Sequence, residues 1–378
     1  MQFNLLSKLF SINILSNVVP LLTIIVLKKA VSTSDFSTFV ANYSLILFSI
    51  SIIEFGFRNY FLTKSGLSIL SISELISSDR IRLTIILILC FFIIIFSTTK
   101  ENHFPLFFIP LIIKEYFFPI YKYQNLNFLN KYNFSLAIFQ LIIIIGLTIT
   151  LLTSEIYYLY YFYFFSGLYL SVSGYVITRP GFNLIISPDL SLIKKISPIG
   201  ISNIVTSINQ NLYKFLLGII SPIVLVNFEI ILKLTSIFKV PINLITEYFQ
   251  IQSNELTKKK MVFFSLMIFM SSVLFFYFFK TFFIDFFDID IKYLYVYLIV
   301  LIPITFSSLL HRVTNIISNK LRVQFISICL GTLITYLLTL YFFNSITLLH
   351  IIIISILSEL TILFSTLIFN NTTYEKKI

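Results

Sequence analysis

Five polar side chains, Asn203, Ser207, Gln210, Asn211 and Lys214, recur at intervals of three and four inside an otherwise apolar run. That spacing sets them on one stripe of an α-helix. The stripe suits two chemistries: hydrogen bonds to a neighbouring helix, or contact with a hydrated polar ligand. A lysine near the middle of an apolar span costs about 2.5–3.5 kcal/mol unless it is paired or hydrated, so Lys214 is expected to face water. Other charges interrupt apolar runs at Lys114 and Glu115, at Glu229, Lys233 and Lys239, and at Glu359, with Glu54 and Arg58 at one run's end. Glu229 and Lys233, four apart, lie within pairing reach of one another, and pairing or function would each explain them. Lys239 stands just before Pro241, which opens a helix locally. Lys114 and Glu115 are consecutive and diverge by about 100° around a helix, so joint burial against one partner is not expected. Lysines outnumber acids along these runs, and a hydrated cavity there would attract an anionic cargo. The carboxylates Glu54, Glu115, Glu229 and Glu359 are the candidates for coupling a proton or sodium ion. Burial raises a carboxylate pKa and a nearby lysine lowers it, so the residue types single out none of the four.

The elements that must position these residues are membrane helices. Twelve apolar stretches of about twenty residues each are expected at 9–28, 36–57, 81–98, 104–121, 134–152, 156–178, 197–219, 223–246, 261–279, 292–310, 322–342 and 346–369. About 20 helical residues cross a hydrocarbon core of about 30 Å, with every backbone polar group satisfied inside its own helix. The connections left over are too short for a soluble catalytic domain. Composition agrees: 58% of the residues are hydrophobic and only 11% charged, with 44 Phe and 22 Tyr. The run at 9–28 follows a near-neutral start and ends in Lys28 and Lys29 with no small-residue cleavage site, so it is expected to be retained. Cys90 and Cys329 fall inside predicted spans, where they act as small hydrophobes. The three histidines, His103, His311 and His350, form no metal-ligand spacing and no acid–base cluster with Asp, so neither enzyme chemistry nor a cofactor is expected.

Charge sets the expected orientation. With a cytoplasmic amino terminus, eighteen Lys and Arg fall on the cytoplasmic side and five on the other, the bias of a positive-inside topology. Both termini are then cytoplasmic. The net charge of +11 follows from topology and anionic lipid attraction, without nucleic acid. The longest break, with Arg179, Pro180, Gly181, Pro188 and Asp189, divides the chain into six-helix halves at 1–180 and 197–378, joined by a cytoplasmic linker at 181–196. A related polar pattern opens each half: Asn13 with Asn203, Asn17 with Ser207, and Pro20 with Gln210. Internal repetition of this kind builds many secondary transporters. The fold class expected is an all-α polytopic membrane protein of two pseudo-symmetric six-helix bundles.

Asp35-Phe36-Ser37-Thr38-Phe39, then Glu54-Phe55-Gly56-Phe57-Arg58, resemble the amino-terminal signature of Wzx-type O-antigen flippases, and Asn227-Phe228 is similar to that family's loop before the eighth helix. These flippases belong with multidrug (MATE-like) exporters and lipid II flippases in one superfamily. The resemblance implies two bundles around a V-shaped cationic cavity in the bacterial cytoplasmic membrane. It implies an undecaprenyl-pyrophosphate-linked oligosaccharide as cargo, moved by alternating access toward the periplasmic leaflet, with polymerase and chain-length proteins as possible partners. On that reading Lys214, Lys233, Lys239, Lys114 and Arg58 attract the pyrophosphate, while Asn203, Gln210 and Asn211 hydrogen-bond glycan. The first predicted helix lacks the acid that many cation-coupled drug exporters carry, and no thirteenth or fourteenth helix is expected, unlike lipid II flippases. Export of small cations or drugs, and an O-antigen polymerase-type enzyme, stand as alternatives, the latter disfavoured because the outward connections are short and lack Arg.

Overall fold

The computed structural model describes residues 19–58, 60–61, 72–99, 103–119, 129–178, 190–251, 257–287, 290–310 and 321–375. The expected pairs at Asn13 and Asn17, the break at 179–189 and His311 lie outside them. Every regular element among the described residues is a helix. Seven helices are long and apolar enough to cross a membrane: Thr33–Glu54, Ile76–Thr98, Asn130–Thr153, Lys259–Phe278, Lys292–Leu309, Arg322–Tyr341 and Leu348–Phe369. Each falls on a span expected from hydropathy. The chain is a multi-pass membrane protein.

Two compact units divide it, Met1–Leu216 and Leu217–Ile378. The first holds α1 (19–30), α2 (Thr33–Glu54), α3 (Ile72–Thr99), α4 (Ile109–Phe117), α5 (Leu129–Thr153), α6 (Tyr157–Thr178) and α7 (Leu190–Ser207). α8 (Tyr213–Ile220) continues α7 and runs into the second unit. That unit holds α9 (Pro222–Ser236), α10 (Lys239–Ile251), α11 (Lys258–Phe278), α12 (Lys280–Phe287), α13 (Ile291–Leu298), α14 (Leu301–Leu309), α15 (Leu321–Tyr341) and α16 (Leu348–Glu375).

Prolines explain where expected spans break. The stretch at 104–121 is a 3-10 turn, Phe104–Phe108, followed by α4, which stops beside Phe118 because the residue before Pro119 is sterically barred from the α region. The stretch at 223–246 divides at Ile237, the residue four before Pro241, whose ring crowds that carbonyl. Pro303 acts in the same way on Ile299, separating α13 from α14. Helix α6 is continuous over 22 residues, but its seven tyrosines lower its hydropathy.

In the first unit the core between α2, α4 and α6 is aromatic. Phe39, Phe108, Tyr160 and Tyr163 are buried, with ring centroids 5.4–6.0 Å apart, and Asn42 donates to the Tyr160 hydroxyl at 3.5 Å. Edge-to-face and tilted rings align a positive rim with a negative face, which adds to the area they bury. Glycines let helices close: a Cβ on Gly167 would fall 2.8 Å from the Leu111 nitrogen, and one on Gly174 would fall 2.5 Å from the Phe117 oxygen. In the second unit α15 and α16 form a hairpin in which Ser358 donates to the Gly331 carbonyl at 3.0 Å. Many hydroxyls bond back one turn, as Thr235 does to Ile231 and Thr246 to Ile242, which satisfies their polarity inside an apolar helix.

Candidate functional site: two buried charge clusters

The end of α2 builds the first cluster. Phe55 adopts the left-handed conformation at φ 36°, ψ 37°, and Gly56 follows at φ 74°, so the helix stops and the chain turns against α7. Glycine is required twice. Gly56 holds a positive φ, and a Cβ on Gly200 would lie 2.8 Å from the Phe55 oxygen. Phe57 and Phe61 then pack with Ile81, Leu192 and Ile196, fixing α2, α3 and the first turns of α7 together. This turn is the Glu54–Arg58 motif, which therefore serves helix packing as well as charge placement.

Glu54 sits there within electrostatic reach of Arg58, Arg82, Lys114 and Glu115. One oxygen of Glu115 pairs with Lys114 at 2.9 Å and the other with Arg82 at 3.7 Å. Arg82 is fully buried, although it stands at the very start of the span expected at 81–98. The reason is helix length: α3 begins at Ile72, so Arg82 stands about 15 Å along it. Lys114 and Glu115 pair with each other. Their backbones diverge, but the long ammonium stem bends back to the carboxylate, and Lys114 comes within 6.0 Å of the Phe139 ring centre. In the first turn of α3, Glu74 accepts from the Tyr60 hydroxyl at 3.2 Å and pairs with Lys195 at 3.6 Å. Fully ionised, the group of Glu54, Arg58, Arg82, Lys114 and Glu115 holds one more positive than negative charge.

The amide stripe is rearranged by a π-helical turn at Ile208–Leu212, closed by the Tyr213 N–H donating to the Ile208 carbonyl. Such a turn fits an extra residue into the helix and rotates everything after it. Ser207 is buried and accepts from the Asn211 side chain at 2.9 Å, Gln210 is exposed, and Asn203 and Lys214 are half-buried. One face does not carry all five. π turns are frequent at functional sites, and this one coincides with the amide cluster.

The second unit has its own cluster. Glu229, 4% exposed, pairs with Lys233 at 3.4 Å, so the simple pairing anticipated for these two is present. Glu359 on α16 lies within electrostatic reach of Lys239, and buried Tyr297 within reach of both Glu229 and Glu359. Two acids and two lysines balance here. Among the described residues, no group of His, Cys, Asp and Glu is placed to hold a metal ion.

The described residues thus form a multi-pass helical fold with proline-broken helices and a buried charge cluster in each unit. No protein-family model and no curated protein match the sequence. The fold is nonetheless shared with two solved structures. One, titled "Lipid II flippase MurJ, inward closed conformation", superimposes with a TM-score of 0.71 at 17% identity, covering 96% of this chain and 87% of that one. Another, "Crystal structure of MATE in complex with MaD3S", gives 0.66 at 13% identity, covering 98% and 95%.

Proposed function

We propose that the protein flips an undecaprenyl-pyrophosphate-linked oligosaccharide, an O-antigen or related repeat unit, from the cytoplasmic to the periplasmic leaflet of a bacterial inner membrane by alternating access. The observation that carries this reading is the buried cluster of Arg58, Arg82 and Lys114 with Glu54 and Glu115, one positive charge in excess when fully ionised, in a fold shared with a lipid flippase. A pyrophosphate and a hydrated glycan cannot cross hydrocarbon unaided, because stripping their water costs several kcal/mol for each polar group. Charge-assisted hydrogen bonds from lysine and arginine replace that water for the phosphates, and amides such as Asn203, Gln210 and Asn211 replace it for sugar hydroxyls. The polyprenyl tail stays in lipid throughout. Both termini are cytoplasmic and two halves, 1–180 and 197–378, carry the exchange, with polymerase and chain-length proteins acting on the delivered product.

Lys214→Ala is expected to lower surface polysaccharide while the protein still inserts in the membrane. Full polysaccharide in that variant would count against the assignment. Deleting the gene should trap lipid-linked glycan on the cytoplasmic face.

A second reading, cation-coupled export of a small molecule, is favoured by the carboxylates Glu54 and Glu359, each held near lysine or arginine in its own unit. Glu359→Gln and Glu54→Gln separate the two. Loss of drug resistance with unchanged polysaccharide supports export, and the reverse supports flipping.

A further inference from the structure

A cavity of about 570 Å³ opens between the start of α5 and the end of α6 in the first unit, and no residue of that unit's charge cluster lines it. It is lined by Phe134, Val172, Val176 and Ile177, with Asn130 and Lys131 at one end and Ser135, Ser173 and Tyr169 farther in. The two helices run antiparallel, and the Ser135 and Ser173 hydroxyls, 2.7 Å apart, fix their register. The groove therefore extends about 12 Å, from Ile177 and Lys131 at the helix ends to Tyr169. Phe134 is 68% exposed and Val172 and Val176 61% each, on a helix pair whose outer face bears Leu141, Leu168 and Phe165. In a multi-pass membrane protein, that face meets lipid.

We propose that this groove is a binding site for an anionic phospholipid, with the phosphate at Lys131 and Asn130 and the upper acyl chain along Phe134, Val172 and Val176. Three features select that occupant. The cavity is apolar along its length, as an acyl chain requires. Among the described residues that line it, the one charge is a cation, Lys131, at the helix ends, where a headgroup lies. In the sequence, the stretches just before α5 and just after α6 also carry Lys122 and Arg179. Juxtamembrane cations of this kind draw anionic lipid. The proposal does not depend on what the protein transports.

The test is photocrosslinking of the full chain in lipid nanodiscs, with phosphatidylglycerol or phosphatidylcholine carrying a diazirine on the upper acyl chain. Phosphatidylglycerol is expected to label peptides holding Phe134, Val172 and Val176. Lys131→Gln should lower that labelling about five-fold, the weight of one surface cation toward anionic lipid. Ser173→Trp, which fills the groove, should abolish it, and Ser173→Ala, which leaves the groove open, should not. Equal labelling by the two lipids, indifference to Lys131→Gln, or displacement by excess undecaprenyl phosphate but not by unlabelled phosphatidylglycerol would overturn the proposal.

Discussion

Removing Glu115 should harm the first unit more than removing Arg82, although the two form one ion pair. Glu115 answers two cations, Lys114 at 2.9 Å and Arg82 at 3.7 Å, so Arg82→Met leaves the carboxylate still paired. Glu115→Met instead leaves Lys114 and a fully buried guanidinium without that carboxylate. Opposite charges at 4 Å attract by about 4 kcal/mol at an effective dielectric of 20, and breaking a buried pair from one side costs about 3–5 kcal/mol. Taking about 3 kcal/mol and the sensitivity of soluble domains of comparable size, Glu115→Met should lower the melting temperature by roughly 6–12 °C. Arg82→Met should lower it by less than half as much. The double variant should recover only the part due to the stranded guanidinium, because replacing both partners by apolar side chains of similar size is often neutral, whereas Lys114 still lacks Glu115. A thiol-reactive dye suits the assay: the sequence has no Trp, and its two cysteines, Cys90 and Cys329, are partly buried, one in each unit. With Cys329 replaced by Ser, the remaining Cys90 reports the first unit. Equal losses for the two single variants, or a double variant worse than Glu115→Met, would refute the reasoning.

Gly56→Ala should destabilise by more than about 1 kcal/mol, since Gly56 has φ 74° and its Cβ would fall 2.9 Å from the Gly200 nitrogen; a melting temperature matching wild type would count against that packing. Combined with Gly200→Ala, the loss should be less than additive because both strain one contact, which a double-mutant cycle measures. Glu229→Gln should spare Glu359-dependent coupling but weaken α9 within the second unit, visible as faster amide exchange near Lys233. Asp290 caps α13 by accepting from the Lys292 backbone N–H at 3.0 Å, and the hydrogen bond and charge of Lys292 hold its carboxyl below the usual range. A depressed folded-state pKa stabilises above the unfolded value, near 3.8, and the effect fades as pH falls through the folded one. Amide protection at Lys292 and Tyr293 should therefore drop in acid, and Asp290→Asn should flatten that dependence.

The sequence by itself determined the environment and most helices of this protein. Seven spans read from hydropathy coincide with seven long helices, because lipid requires about twenty apolar residues with internally bonded backbones wherever the chain crosses. Proline positions were legible too, and the break foreseen at Pro241 falls at Ile237. Charge partners were not. Whether Lys114 meets Glu115, or Arg82 stands in a loop or a core, depends on how α3 and α4 lie against each other and how far a flexible side chain bends. The π turn at Ile208–Leu212 likewise has no signature in residue spacing, yet it rotates Lys214 away from the stripe that a uniform helix would give. Periodicity records what each helix demands of its surroundings. Which charges neutralise one another is decided by contacts between helices, and those exist only after the chain has folded.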